Sequence, residues 1–133
     1  MGKKALVVDD EEVIRKFIRI HLINWGYEVK EAVDGVEALE QLSNENFDFL
    51  LLDILMPKKD GWEVLEEIRS NPKTKNIPVI VLTAKDEDND MFKGYTLGAN
   101  YYMTKPFTKA QLLYGIQLMF KGDSESLPVG RQE

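Results

Sequence analysis

Phe49-Leu50-Leu51-Leu52-Asp53 decides how this chain folds. A strand with one wet face alternates apolar and polar side chains. A run that is apolar at every position belongs to a strand buried on both faces, as in a parallel sheet covered by helices. The run then stops on an acid. Asp53 therefore stands at the carboxyl end of an interior strand, where open parallel sheets place their ligands.

Working outward from that run, the pattern repeats. Ala5–Val8 and Val79–Leu82 are nearly continuous in Val, Ile and Leu, and Tyr101–Met103 forms a shorter run. Tyr27–Val29 alternates more and reads as an edge strand. Helical periodicity fills the gaps. Glu12–Trp25 gathers Ile14, Ile18, His21, Leu22 and Trp25 on one face, and Gly26 stops it. Gly35–Asn44 carries Ala38, Leu39 and Leu42, and Gly61–Asn71 carries Val64, Leu65 and Ile68 before Pro72. Asp88–Leu97 is weaker, with Gly94 inside it at a cost of roughly 1 kcal/mol relative to Ala. Thr108–Phe120 gathers Leu112, Ile116, Met119 and Phe120, with Thr108 as N-cap. Strand-helix units repeated in this way predict an α/β fold: a (βα)5, doubly wound, five-stranded parallel sheet between two helix layers, in strand order 2-1-3-4-5. Residues 1–120 form this domain. Residues 121–133 lack periodicity and read as a flexible tail or the start of a linker.

Bulk properties fit one domain. The chain has 133 residues, 44% of them apolar and 30% charged, enough for a single core. Its net charge of −6 argues against direct nucleic-acid binding, which needs a basic face. With no cysteine, thiolate metal sites and Cys nucleophiles are excluded, and a reducing cytoplasm is the natural setting. No apolar run reaches the roughly 18 residues of a membrane span. Ala5–Val8 is too short for a signal-peptide core.

The strand ends carry the chemistry. The first strand runs out at Asp9-Asp10, and in the expected order it neighbours the strand ending at Asp53. Three carboxylates then converge on one mouth. A hard divalent cation with oxygen ligands, Mg²⁺ above all, relieves their repulsion. The plainer explanation is that Asp9 and Asp10 cap the first helix; it leaves Asp53 unexplained. Thr83 ends the fourth strand and Lys105-Pro106 the fifth, which brings a hydroxyl and an ammonium to the far side of the mouth. Such a set suits phosphoryl chemistry: a carboxylate attacks while cations and a hydroxyl hold the phosphoryl oxygens.

Over Lys4 to Phe120 the chain resembles the response-regulator receiver family of two-component signalling, a flavodoxin-like, CheY-like fold. The matching pieces are Leu6-Val7-Val8-Asp9-Asp10-Glu11, Gly26-Tyr27-Glu28-Val29 with Ala32 and Asp34-Gly35, and Asp53-Ile54-Leu55-Met56-Pro57 with Asp60-Gly61. They continue through Ile77-Pro78-Val79-Ile80-Val81-Leu82-Thr83-Ala84 to Gly98-Ala99, Tyr102 and Thr104-Lys105-Pro106-Phe107. The resemblance implies that Asp53 accepts a phosphoryl group from a histidine kinase or a histidine phosphotransfer protein. It implies that Asp10, Asp53 and the backbone carbonyl of Leu55 bind Mg²⁺, with Asp9 acting through water. It implies that Lys105 pairs with the carboxylate and then the phosphoryl group, and that Lys105-Pro106 is cis. Thr83 would turn toward the phosphoryl group and Tyr102 swing inward, remodelling the face made by the fourth helix, fifth strand and fifth helix. Self-phosphorylation and slow autodephosphorylation would be its only catalysis, so it is not an enzyme in the usual sense. Asn100 and Tyr101 depart from the two acids frequent in the family, and Lys85 stands where relatives tune access of hydrolytic water.

Other readings fit less well. A P-loop is absent, Asp9-Asp10-Glu11-Glu12 would repel a flavin phosphate, and Leu55 stands where a haloacid-dehalogenase-type phosphatase has its second acid. The remaining alternative is a degenerate receiver that serves only as a protein-interaction module; Asp9, Asp10, Asp53, Thr83 and Lys105 together speak against it. His21, Trp25 and Trp62 read as packing residues. Tyr114 and Leu118 fall opposite the core stripe of the last helix, a candidate partner surface for a monomer or a phosphorylation-promoted dimer.

Overall fold

The structure is a computed structural model that describes residues 3–56, 59–84 and 97–120. The expected helix at Asp88–Leu97 falls, apart from Leu97, outside the described residues, as do Pro57, Lys85, Gly94 and the tail. The described strands are β1 (Lys4–Val8), β2 (Glu28–Ala32), β3 (Phe49–Asp53), β4 (Val79–Ala84) and β5 (Tyr101–Lys105). The described helices are α1 (Glu12–Asn24), α2 (Gly35–Asn44), α3 (Gly61–Ser70) and α4 (Lys109–Met119). The five strands form one sheet in order β2-β1-β3-β4-β5, with every neighbouring pair parallel. This is the doubly wound α/β fold that the sequence pattern calls for.

Strand periodicity of two splits the core. Leu6, Val8, Leu50, Leu52, Val79 and Val81 point to one side, under α2 and α3. Ala5, Val7, Phe49, Leu51, Ile80 and Leu82 point to the other, under α1 and α4. β3 is buried along its whole length, so its apolar run serves both layers at once. The edge strand β2 runs to Ala32, three residues past its apolar stretch, because Lys30, Glu31 and Ala32 pair in register with Leu6, Val7 and Val8. Its charged residues hid that extension from a reading based on hydrophobicity.

Local signals set the helix ends. Gly26 takes a φ of 97°, open to glycine at little cost, and turns the chain from α1 into β2. Thr108 accepts from the Gln111 amide at 3.1 Å while Gln111 Oε1 accepts from the Thr108 amide at 2.8 Å, a reciprocal cap on α4. Asp60 and Glu63 make the same arrangement on α3. His21 packs edge-on to Phe17 and stacks with Trp25 beside the α1–α4 core, and Trp62 packs against the opposite layer. Tyr114 is exposed, whereas Leu118 is half-buried, which leaves only a narrow apolar patch.

Leu51→Ala removes a side chain buried in the central strand and is expected to cost about 2–5 kcal/mol of stability, measured by urea denaturation. A loss well under 1 kcal/mol would contradict the packing described for β3.

Candidate functional site

The sheet's alternation also places the charged groups. Asp9 follows Val7, Asp53 follows Leu51 and Lys105 follows Met103, each two residues on and therefore on the same, α1–α4 side. Carboxylate oxygens of Asp9, Asp10 and Asp53 lie within 4.8 Å of one another. Asp9 and Asp53 are buried and Asp10 is exposed. The Lys105 ammonium reaches Asp9 Oδ2 at 2.9 Å, Glu11 Oε1 at 3.2 Å and Asp53 Oδ1 at 3.4 Å. The Leu55 amide approaches Asp53 Oδ1 at 3.4 Å, and the Lys105–Pro106 peptide is cis. Asp10, Glu11, Asp53, Leu55, Ala84 and Lys105 line an open cleft over the strand ends.

Helix capping does not account for the paired acids. The N-cap of α1 is Glu11, with no side-chain cap hydrogen bond. Asp9 instead accepts from the Glu11 amide through Oδ1 at 2.9 Å. Electrostatics fit a site built for a cation. Burial, then the charge of Asp9, pushes the Asp53 carboxyl up to about 7, although Lys105 pulls the other way. Burial also raises the Asp9 carboxyl against the opposing pull of Lys105. Burial works to lower the Lys105 ammonium, but its hydrogen bond to Asp9 and the charges of Asp53 and Asp9 outweigh that, and its pKa ends above the ordinary value. Hard oxygen donors this close together, two of them destabilised as anions, match the needs of Mg²⁺.

Thr83 and Tyr102 lie elsewhere. Thr83 continues the Val79–Val81 alternation, so it faces the α2–α3 side and is fully buried, its hydroxyl without a hydrogen-bond partner among the described residues. Ala84, not Thr83, borders the cleft. Val81 pairs in register with Tyr102 and Thr83 with Thr104, which makes Thr83 and Tyr102 diagonal neighbours on one face. The Tyr102 ring is already buried in that layer.

Sequence reasoning gave no role to Glu11, Arg15 or Arg69. Arg15 donates to the Asp9 carbonyl at 2.8 Å and to Glu31 at 2.9 Å. Arg69 donates to the carbonyls of Gly98, Ile77 and Lys75 and to Asn100 Oδ1, over 2.7–3.0 Å. Asn100, which had read only as a missing charge, thus ties α3 to the start of β5. Glu11 had a visible signal, its place in an acidic run opposite Lys105; the contacts of Arg15 and Arg69 to backbone carbonyls had none.

Clustered carboxylates and an ammonium at the strand ends of a doubly wound sheet make a donor set suited to a hard cation. The response regulator receiver domain model matches residues 5–117. The chain is 40% identical over 128 residues to the alkaline phosphatase synthesis transcriptional regulatory protein PhoP of Bacillus subtilis (strain 168), covering 96% of this chain and 52% of that protein. It thus spans about half the length of that curated relative. Among solved structures, a putative response regulator from Chloroflexus aurantiacus is 34% identical with a TM-score of 0.86, over 90% of this chain and 98% of that one. The chemotaxis response regulator CheY4 of Vibrio cholerae is 33% identical with a TM-score of 0.84, over 90% of this chain and 99% of that one. The chain belongs to the response regulator receiver domain family and is a receiver domain of two-component signalling. Such domains are signalling modules rather than conventional enzymes, and the family binds Mg²⁺ at an acidic pocket.

The raised Asp53 carboxyl has a direct consequence for stability. Between its ordinary value of 3.8 and about 7 the folded chain holds a proton that the unfolded chain has lost. Stability therefore falls as pH rises through that window, and the loss is complete above it. In chelator, Asp53→Asn is expected to raise stability at about pH 8 by on the order of 1–3 kcal/mol, and by almost nothing near about pH 4. Equal effects at both pH values, read from urea melts, would contradict it.

Proposed function

We propose that this receiver accepts a phosphoryl group on Asp53, in a Mg²⁺-dependent transfer from a histidine kinase or histidine phosphotransfer protein. The observation that carries the reading is the approach of the Asp9, Asp10 and Asp53 carboxylates to within 4.8 Å, with the Lys105 ammonium beside them. Asp10, Asp53 and the Leu55 carbonyl would hold the ion, with Asp9 acting through water. Bound there, Mg²⁺ would offset the carboxylate charge and that of the incoming phosphoryl oxygens.

An Asp53 carboxylate oxygen attacks phosphorus, the phosphorus–nitrogen bond of the donor breaks, and the donor imidazole leaves with the electron pair. Lys105 then exchanges part of its carboxylate contact for a phosphoryl oxygen, a charge-assisted bond. Among the described residues Thr83 has no hydrogen-bond partner, so a phosphoryl oxygen on Asp53 would offer its hydroxyl one. Its rotation toward the cleft, with Tyr102 adjusting on the same face of β5, carries the change to the surface around β5 and α4. Among the described residues no helix is long and apolar enough to cross a membrane, in keeping with work in the cytoplasm.

Incubation with Mg²⁺ and acetyl phosphate is expected to give one phosphoryl adduct by intact mass, lost in hydroxylamine and absent from Asp53→Asn. No adduct from acetyl phosphate or from any histidine donor would leave the chain as an interaction module.

A further inference from the structure

Resting on that reading of the acidic mouth, we infer that Arg15 is a positioning residue for Mg²⁺, acting through the Asp9–Asp10 peptide. Asp9 is hydrogen-bonded at its amide, its carbonyl and Oδ1, and Oδ2 is left to the ion pair with Lys105. Its amide donates to the Ala32 carbonyl at 3.2 Å, Oδ1 accepts from the Glu11 amide at 2.9 Å and Oδ2 meets Lys105 at 2.9 Å. Its carbonyl, half of the peptide unit that aims Asp10, is held by Arg15 Nη1 at 2.8 Å. Asp10 itself is exposed and extends from that peptide.

Arg15 is well suited to such a task. Only 13% of its side chain is exposed, and its Nε is anchored on Glu31 Oε1 at 2.9 Å. Glu31 is fixed in turn by Arg19 at 2.6 Å, and its own carbonyl accepts from Gln41 at 2.6 Å. A planar guanidinium held at one edge presents the other edge in a set direction, which a lysine cannot reproduce. The strut therefore runs from β2 through α1 to the turn that carries Asp10.

Charge and positioning predict opposite signs. As a nearby cation, Arg15 repels Mg²⁺, so its removal should tighten binding. As a strut, it preorganises a ligand, so its removal should loosen binding. Lys16 supplies the charge control, an exposed cation on α1 whose side chain makes no described hydrogen bond and lies outside the Glu31–Arg15–Asp9 chain.

Amide chemical shifts of the full chain, titrated with MgCl₂ without phosphate, read the affinity directly. Arg15→Met is expected to raise the Mg²⁺ Kd about tenfold, in the range of lost outer-shell partners. Arg15→Lys should fall between Arg15→Met and the unsubstituted chain, and Lys16→Met should leave the Kd unchanged or lower it. Binding by Arg15→Met as tight as that of the unsubstituted chain, or equal loosening in Lys16→Met, overturns the inference and leaves the phosphoryl reading intact. If Arg15→Met does not fold, Arg15→Lys is judged by the same standard. No Mg²⁺-dependent shift in the unsubstituted chain overturns both.

Discussion

Two carboxylates taken out of water side by side are the constraint on which this molecule turns. Asp9 and Asp53 are buried at adjacent strand ends, and the Lys105 ammonium is shared between both and Glu11 as well. Desolvation and mutual repulsion push both carboxyls upward, and one lysine offsets only part of that. A fold selected for stability alone would not keep this arrangement. It persists because the sheet around it is buried on both faces and firm enough to hold the acids where they are.

The other end of the same sheet solves the opposite problem. Arg69 is a half-buried cation whose described partners are all neutral oxygens, three of them backbone carbonyls. Burial lowers its pKa, and no carboxylate is among the partners described to offset this. Its fork ties α3 to the segments entering β4 and β5. The strands that end near the mouth are thus pinned at their starts.

Much of this was legible in the sequence, and the physical reasons are specific. Unbroken apolar runs announced interior parallel strands, and acids directly after them announced the mouth. Thr108 and Gly26 declared helix ends through chemistry that leaves few alternatives. The reading failed where side chains seek backbone rather than each other. Nothing in residue type tells that Arg15 aims at the Asp9 carbonyl or that Arg69 gathers three others. It also set Thr83 on the rim of the mouth, because it counted strand ends and not strand faces. Counting from Val79 puts the threonine on the α2–α3 side, beside Tyr102. The charged residues of β2 concealed its length for a related reason: an edge strand is specified by its backbone pairing more than by its hydrophobicity.

That division of faces bears on how such a chain can diverge. The charged groups and the buried hydroxyl sit on opposite sides of a sheet one residue thick, and which side each takes depends only on whether its distance along the strand is odd or even. Composition within β3, β4 and β5 can drift among Val, Ile and Leu with little effect on either face. Loss or gain of a single residue within a strand would keep the hydrophobicity and exchange the faces. Strand length in this fold is a form of addressing, so tolerated insertions belong in the connections, and a library built on this scaffold should vary the apolar strand positions only among Val, Ile and Leu and the number of residues per strand not at all.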